Sequence, residues 1–149
     1  MAYDDLSAFK LYMLDVGLLR RLALLSPKAF TEGNRLFAEF KGALSENYVL
    51  QSFKNQFEAI PRYWATDRPR NEVDFIIQRE NDIIPVEVKS EDNVESRSLR
   101  QYKEKDGEKV QLRVRLSLKN LKLNGDMLNI PLFLADRSDH LIGIAKKLL

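Results

Sequence analysis

Cysteine is absent from the 149 residues, which excludes disulfides, thiolate metal sites and a cysteine nucleophile and fits a reducing compartment. Histidine occurs once, at His140, so neither a Ser-His-Asp triad nor a multi-histidine metal centre is expected. No apolar run approaches the roughly 20 residues of a membrane span. The opening Met1-Ala2-Tyr3-Asp4-Asp5 also lacks the basic-then-apolar profile of a signal peptide. The expectation is a cytoplasmic chain with no membrane partner. A dominant charge is missing too: 24 Lys and Arg stand against 22 Asp and Glu, a net +2, so a polyanion would have to be met by a local patch. There is no Gly-x-x-x-x-Gly-Lys-[Ser/Thr] segment to bind ATP through a P-loop, no internal repeat and no low-complexity tract.

What remains is an ordinary globular composition, 44% hydrophobic and 31% charged. It suits one domain that buries roughly two thirds of its unfolded surface. The most informative stretch is residues 71–90, where two runs rich in Val, Ile and Phe flank the polar cluster Gln78 to Asp82. That pattern predicts a β-hairpin with a four- or five-residue loop. Alternation puts Asp74 on the face opposite Val73, Phe75 and Ile77, and Glu87 with Lys89 on the face opposite Ile84, Val86 and Val88. In a short-loop register Asp74 would come near Glu87 and Lys89. Two carboxylates and an ammonium there would suit a hard divalent cation and an activated water. The plainer alternative is a wet outer face carrying solvated charges, against which the run ending in Pro85-Val86-Glu87-Val88-Lys89 is very apolar for a surface strand.

An Asp, a hairpin loop and then Glu-x-Lys after apolar residues resembles the core of the PD-(D/E)xK nuclease superfamily, with Asp74, Glu87 and Lys89 at the signature positions and Val73 where the pattern has Pro. A second resemblance rests on Lys10-Leu11-Tyr12-x-x-Asp15-x-Gly17-Leu18-Leu19, followed by Glu46-Asn47-x-Val49 and Glu72-Val73-Asp74-Phe75. This is similar to the DUF4143 domain at the C-terminus of a family of bacterial and archaeal AAA-type ATPases. That likeness implies an ATPase domain N-terminal to this module in full-length relatives.

Lys10-Leu11-Tyr12 suits a short strand, and Asp15 is expected to cap a helix from Val16 to Leu25 that Ser26-Pro27 stops. Residues 35–57 carry the longest helical period. Within it Glu46 points along the apolar stripe, which is costly unless a cation or hydrogen bonds compensate it. Alternatively, Ser45 starts a second helix and Glu46 occupies its first turn. The superfamily resemblance implies the former, because an acidic residue commonly comes from the helix before the hairpin.

Residues 61–71 read as a polar, basic loop in which Tyr63-Trp64 suits a short strand leading into the hairpin, and Arg62, Arg68 and Arg70 there suit phosphate contact with stacking. Those arginines are equally at home as solvated loop residues, and Tyr63 and Trp64 as core anchors. Residues 95–105 are helical, with Arg97 and Arg100 outward. Residues 110–118 alternate as a third strand with a basic outer face. A loop or hairpin arm surrounds Asn124-Gly125, a last strand covers residues 130–134 with Pro131 at an edge or a strand start, and a helix closes the chain.

This order predicts an α/β fold, and the resemblance refines it to a restriction-endonuclease-like αβ sandwich with a central mixed sheet, an N-terminal helical extension over residues 1–33 and the nuclease-like domain over 34–149. The resemblance further implies Mg²⁺ or Mn²⁺ held by Asp74, Glu87, the Val88 carbonyl and Glu46, with Lys89 serving the attacking water. The expected activity is metal-dependent hydrolysis of DNA phosphodiesters, with Arg62, Arg68, Arg70, Arg97 and Arg100 as nucleic-acid contacts. The competing expectation is a non-catalytic nucleic-acid-binding or self-association module.

Overall fold

The computed structural model describes residues 9–26, 35–67, 70–90, 96–106 and 110–149, with backbone alone for residues 35–39, 67, 70 and 106. Helices α1 (Val16–Leu22) and α2 (Arg35–Lys54) lead into strands β1 (Arg62–Asp67), β2 (Arg70–Arg79) and β3 (Asp82–Lys89). Helix α3 (Arg97–Asp106) crosses to β4 (Arg113–Ser117). The hairpin β5 (Lys122–Asn124) and β6 (Met127–Pro131), a 3-10 helix (Leu132–Arg137) and α4 (Ser138–Leu148) complete the described elements.

The strands form one mixed sheet in the order β1-β2-β3-β4-β6-β5. β3, β4 and β6 run parallel, and the outer pairs are antiparallel. Both faces are covered. Val49 and Phe53 of α2 join Phe75, Ile77, Val86, Val88, Val114 and Leu116 of the sheet with Ala135 and Ile142 on one side. Leu99 and Tyr102 of α3 pack on Val73 and Val110 on the other, with Trp64 and Ile76 alongside. A central strand covered on both faces must be apolar nearly throughout, and Ile84 to Val88 of β3 are all buried.

Several expectations are corrected. Residues 10–12 join no ladder of the sheet. Asp15 does cap α1, accepting from the Leu18 amide at 2.7 Å, but the helix closes at Leu22, and Leu24 adopts a left-handed φ of +55°. α2 is continuous through Ser45, so no second helix starts there and Glu46 lies within a helix. The short strand at Tyr63-Trp64 extends over Arg62–Asp67 as β1, and the end of the basic loop is the start of β2, because the polar residues here sit on an edge strand, where one row of backbone groups and many side chains stay wet. Arg79 pairs with Asp82, leaving a two-residue turn in which Glu80 takes a φ of +56°, as short hairpins demand at their first turn position.

The final strand is β6, three residues earlier than its apolar run suggested. Pro131 ends that strand opposite Ser117, and the residues after it coil into the 3-10 helix. The Arg113 and Arg115 face of β4 is not an open basic surface. Arg113 grips Asp126 through two bonds of 2.8 and 2.5 Å. Chiefly for that reason the Asp126 carboxyl is held down at about 2, with Lys103 adding a 2.7 Å contact. Arg115 donates to Asn129 at 2.9 Å.

The turn after α2 ties both ends of the fold together. Gln56 donates to the Ala135 carbonyl at 2.8 Å and accepts from the Asp139 amide at 3.0 Å, satisfying an otherwise orphaned donor in the first turn of α4. Replacing it by Ala strands the Asp139 amide and leaves the Ala135 carbonyl only the Ser138 amide and hydroxyl. Gln56→Ala should therefore lower the urea unfolding free energy by about 1–3 kcal/mol, with the sheet intact by circular dichroism.

Candidate functional site

The candidate site is built on a flaw in the β1–β2 pairing. Arg62 pairs with Ile76 but Trp64 pairs with Val73, so β2 spends three steps where β1 spends two and carries a β-bulge at Asp74 and Phe75. A bulge breaks the alternation of faces. Val73 and Ile76 accordingly pack on the α3 side, and Phe75 and Ile77 on the α2 side. Strict alternation had placed Val73 with Phe75 and Ile77; the extra residue overturns that. It also frees Asp74 to turn toward α2 and to reach across to β3, where its Oδ2 accepts from the Val88 amide at 2.7 Å.

Glu87 stands opposite Asp74, one step past the ladder pair of Phe75 and Val86. Its neighbours Val86 and Val88 both face α2, so Glu87 points to the α3 side, where its partner in β4 is Arg115. Lys89 shares that side and pairs with Glu87 at 2.9 Å. Glu87 is only 4% exposed, and its Oε2 has no hydrogen-bond partner. Burial is the main cause that lowers the Arg115 pKa, and the Glu87 charge acts against it. Asp74 and the Glu87–Lys89 pair thus approach one point of the sheet from its two sides.

Glu46 projects from the middle of α2 toward Asp74. Between them lies a residue that sequence reasoning did not assign to the site, Lys10 of the N-terminal segment. Its ammonium is 3.3 Å from Glu46 and 3.8 Å from Asp74, is hydrogen-bonded to Glu72, and sits 5.5 Å from the Tyr63 ring centroid. Burial works against this charge, but the Glu72 hydrogen bond and the Glu46 and Asp74 charges outweigh it and raise the Lys10 pKa above its usual range. Tyr12 donates to the same Glu46 oxygen at 3.3 Å. Asn47, the neighbour of Glu46, is buried and accepts from the Met13 amide at 2.8 Å, while its Nδ2 has no partner. Lys10, Tyr12, Met13, Glu46 and Asn47 border a cavity of about 290 Å³ between the N-terminal segment and α2. The only signal for them in the sequence was the Lys10-x-Tyr12 and Glu46-Asn47 spacing of the DUF4143 resemblance.

Electrostatically Asp74 is the outlier. Burial pushes its carboxyl up to about 7, the Glu46 and Glu87 charges add to the rise, and the Val88 hydrogen bond and Lys10 oppose it. Hard oxygen donors, a buried Glu87 oxygen without a partner and a carboxylate short of positive charge are the donor set that Mg²⁺ or Mn²⁺ takes. As folded, however, no group of three or more Asp, Glu or His side chains among the described residues could hold a metal ion.

The candidate nucleic-acid residues are spread out. Arg62 is exposed on β1, and Arg97 and Arg100 are exposed on α3. Arg68 and the Arg70 side chain lie outside the described residues. Tyr63 lies beneath Lys10, whereas Trp64 packs edge-on against Tyr102. His140 is exposed on α4, and among the described residues no helix is long and apolar enough to cross a membrane.

An acid whose folded-state pKa is raised stabilises the fold below its unfolded pKa and loses that contribution as pH rises through the folded value. Asp74 should therefore cost the metal-free protein stability between its ordinary 3.8 and about 7. Asp74→Asn keeps an acceptor for the Val88 amide but cannot ionise. In chelator-treated samples the wild-type melting temperature, relative to that of the variant, should fall across this window; parallel curves would refute the raised pKa.

Comparison with known proteins adds one match. The family model described as "Domain of unknown function (DUF4143)" covers residues 41–133, which includes α2 from Lys41 onward, the whole sheet and α3. No curated protein and no solved structure matches the chain.

Proposed function

Since the chain belongs to the DUF4143 family, whose description names no activity, we propose from the site itself that it is a metal-dependent nuclease of PD-(D/E)xK type acting on DNA. The observation that carries this reading is the bulge that delivers Asp74, short of positive charge, to the backbone of β3 at the base of the Glu87–Lys89 pair. The restriction-endonuclease-like refinement of the mixed α/β fold belongs to the same proposal.

Asp74, Glu46 and the Val88 carbonyl, with Glu87 reaching round from the α3 side, would hold Mg²⁺ or Mn²⁺ after these side chains draw together, because as folded no three acidic groups among the described residues form a metal site. When bound, that ion would supply Lewis acidity toward a phosphoryl oxygen and acidify a water. Lys89, on the same strand face as Glu87, offers ammonium donors to orient the attacking water and to offset charge building on the phosphoryl oxygens. Glu87 fixes that ammonium at 2.9 Å. Water oxygen bonds to phosphorus and gives up a proton to solvent, the phosphorus–oxygen ester bond breaks, and the departing oxygen takes up a proton from solvent. Arg97 and Arg100 on α3 and Arg62 on β1 would meet the phosphate backbone, with Arg68 and Arg70 extending that contact. An AAA-type ATPase domain N-terminal to this module, as the resemblance implies for full-length relatives, would be its partner.

The second reading is a nucleic-acid-binding or self-association module without turnover. It is favoured by the Lys10 ammonium lying among Glu46, Glu72 and Asp74, where a catalytic ion would need access. Cleavage of plasmid and single-stranded DNA with Mn²⁺ separates the two. The nuclease reading expects strand scission that Asp74→Ala and Lys89→Ala each reduce by about 10²-fold or more, with melting curves confirming folded variants. Scission that persists in Asp74→Ala, or none in any protein, favours the module.

A further inference from the structure

Residues 9–14 cross the outside of α2 as an extended strap held by few contacts. Phe9, Leu11 and Leu14 are 79%, 86% and 82% exposed, so apolar burial contributes little at these positions. Tyr12 packs inward, 6.0 Å from Phe75 between ring centroids, and Met13 is half-buried beside it. The other fastenings are polar: the Met13 amide on Asn47, the Gln51 side chain on the Leu14 carbonyl at 2.7 Å, the Tyr12 hydroxyl on Glu46, and the Lys10 ammonium among three carboxylates. A segment fastened this way opens at low free-energy cost compared with a core element.

Lys10 is the fastening that matters for chemistry. Glu46, Glu72 and Asp74 come from two elements, and their charges meet at this one ammonium. Of the groups gathered here, Glu46 repels the Asp74 charge and Lys10, 3.8 Å away, relieves it. A buried Glu87 oxygen without a partner lies across the same strand pair. Positive charge at this place is supplied by the chain's own N-terminal segment, and a second cation could enter only by displacing it.

We propose that Lys10 is the resident counter-ion of the site and that the strap is its gate: the ammonium and a divalent cation compete for the same carboxylates, so cation uptake lifts residues 9–14 from α2. This rests on the cation-binding reading of Asp74 and Glu87. It makes the N-terminal segment a regulator of the nuclease-like domain in place of an independent extension. Anything that draws the segment away would open the site, and anything that presses it down would close it. Because a ligand shifts a two-state equilibrium only by its differential affinity for the two states, the competition must appear both in cation affinity and in strap opening.

The test is Mn²⁺ titration calorimetry on the full chain and on Lys10→Met and Lys10→Arg, with amide hydrogen exchange at Met13 as a second readout. Lys10→Met, which keeps length and loses charge, should bind Mn²⁺ about tenfold or more tightly than the wild type, and Lys10→Arg should not. In the wild type, saturating Mn²⁺ should speed Met13 exchange by about tenfold, whereas a matching ionic strength of potassium chloride should leave it unchanged. Equal Mn²⁺ affinity in wild type and Lys10→Met, or Met13 protection unmoved by Mn²⁺, overturns the gate while leaving the cation site standing. No Mn²⁺ uptake by any of the three folded proteins overturns both the cation site and the gate.

Discussion

A carboxylate carried into a half-dry seam must find a positive charge or a hydrogen-bond donor, or give up its own charge. This protein carries Glu46, Glu72 and Asp74 into one seam between the N-terminal segment, α2 and β2, and Glu87 into the sheet beside it. Each local arrangement answers to that constraint. Lys10 crosses over α2 to reach the three acids, the Val88 amide binds Asp74, and Lys89 binds Glu87. The relief is incomplete, since burial still holds Asp74 at about 7 and one Glu87 oxygen stays unpaired. Such partial satisfaction is what a binding site, as distinct from a settled core, leaves behind.

The contrast with the other polar cluster is instructive. Asp126 receives a two-pronged guanidinium and an ammonium, and its pKa falls to about 2. Asn129 accepts from Arg115 and Ser117 and donates to two loop carbonyls. Every bond there is closed, and the cluster clamps β4, β6 and α3 into register. The sheet thus carries one polar region that is saturated and structural, and another, at the Asp74 bulge, that is not.

Much of this could be read from residue order. The hairpin, the cap at Asp15, the long helix and the β4 alternation are local patterns, and local patterns survive folding when nothing distant opposes them. Asp74, Glu87 and Lys89 stood out because ionisable side chains interrupted apolar strands. β1 was read only as a short strand at Tyr63-Trp64, because an edge strand needs no apolar face of its own, and its Arg62, Thr66 and Asp67 read as loop. That shortened reading hid the bulge, since a bulge is a property of two paired strands, and with it the shift of Val73 to the α3 side.

Residue order alone therefore determined which segments extend or coil and which charges would be hard to bury, because those depend on side chains within a few positions of each other. Tertiary structure decided who neutralises whom. Lys10 is 36 residues from Glu46 in the chain, too far for any periodicity to relate them. Their meeting depends on how the N-terminal segment crosses α2 and how β2 slips against β1. The acids could be counted in advance; the ammonium that answers them became visible only once the chain had folded back across its own helix.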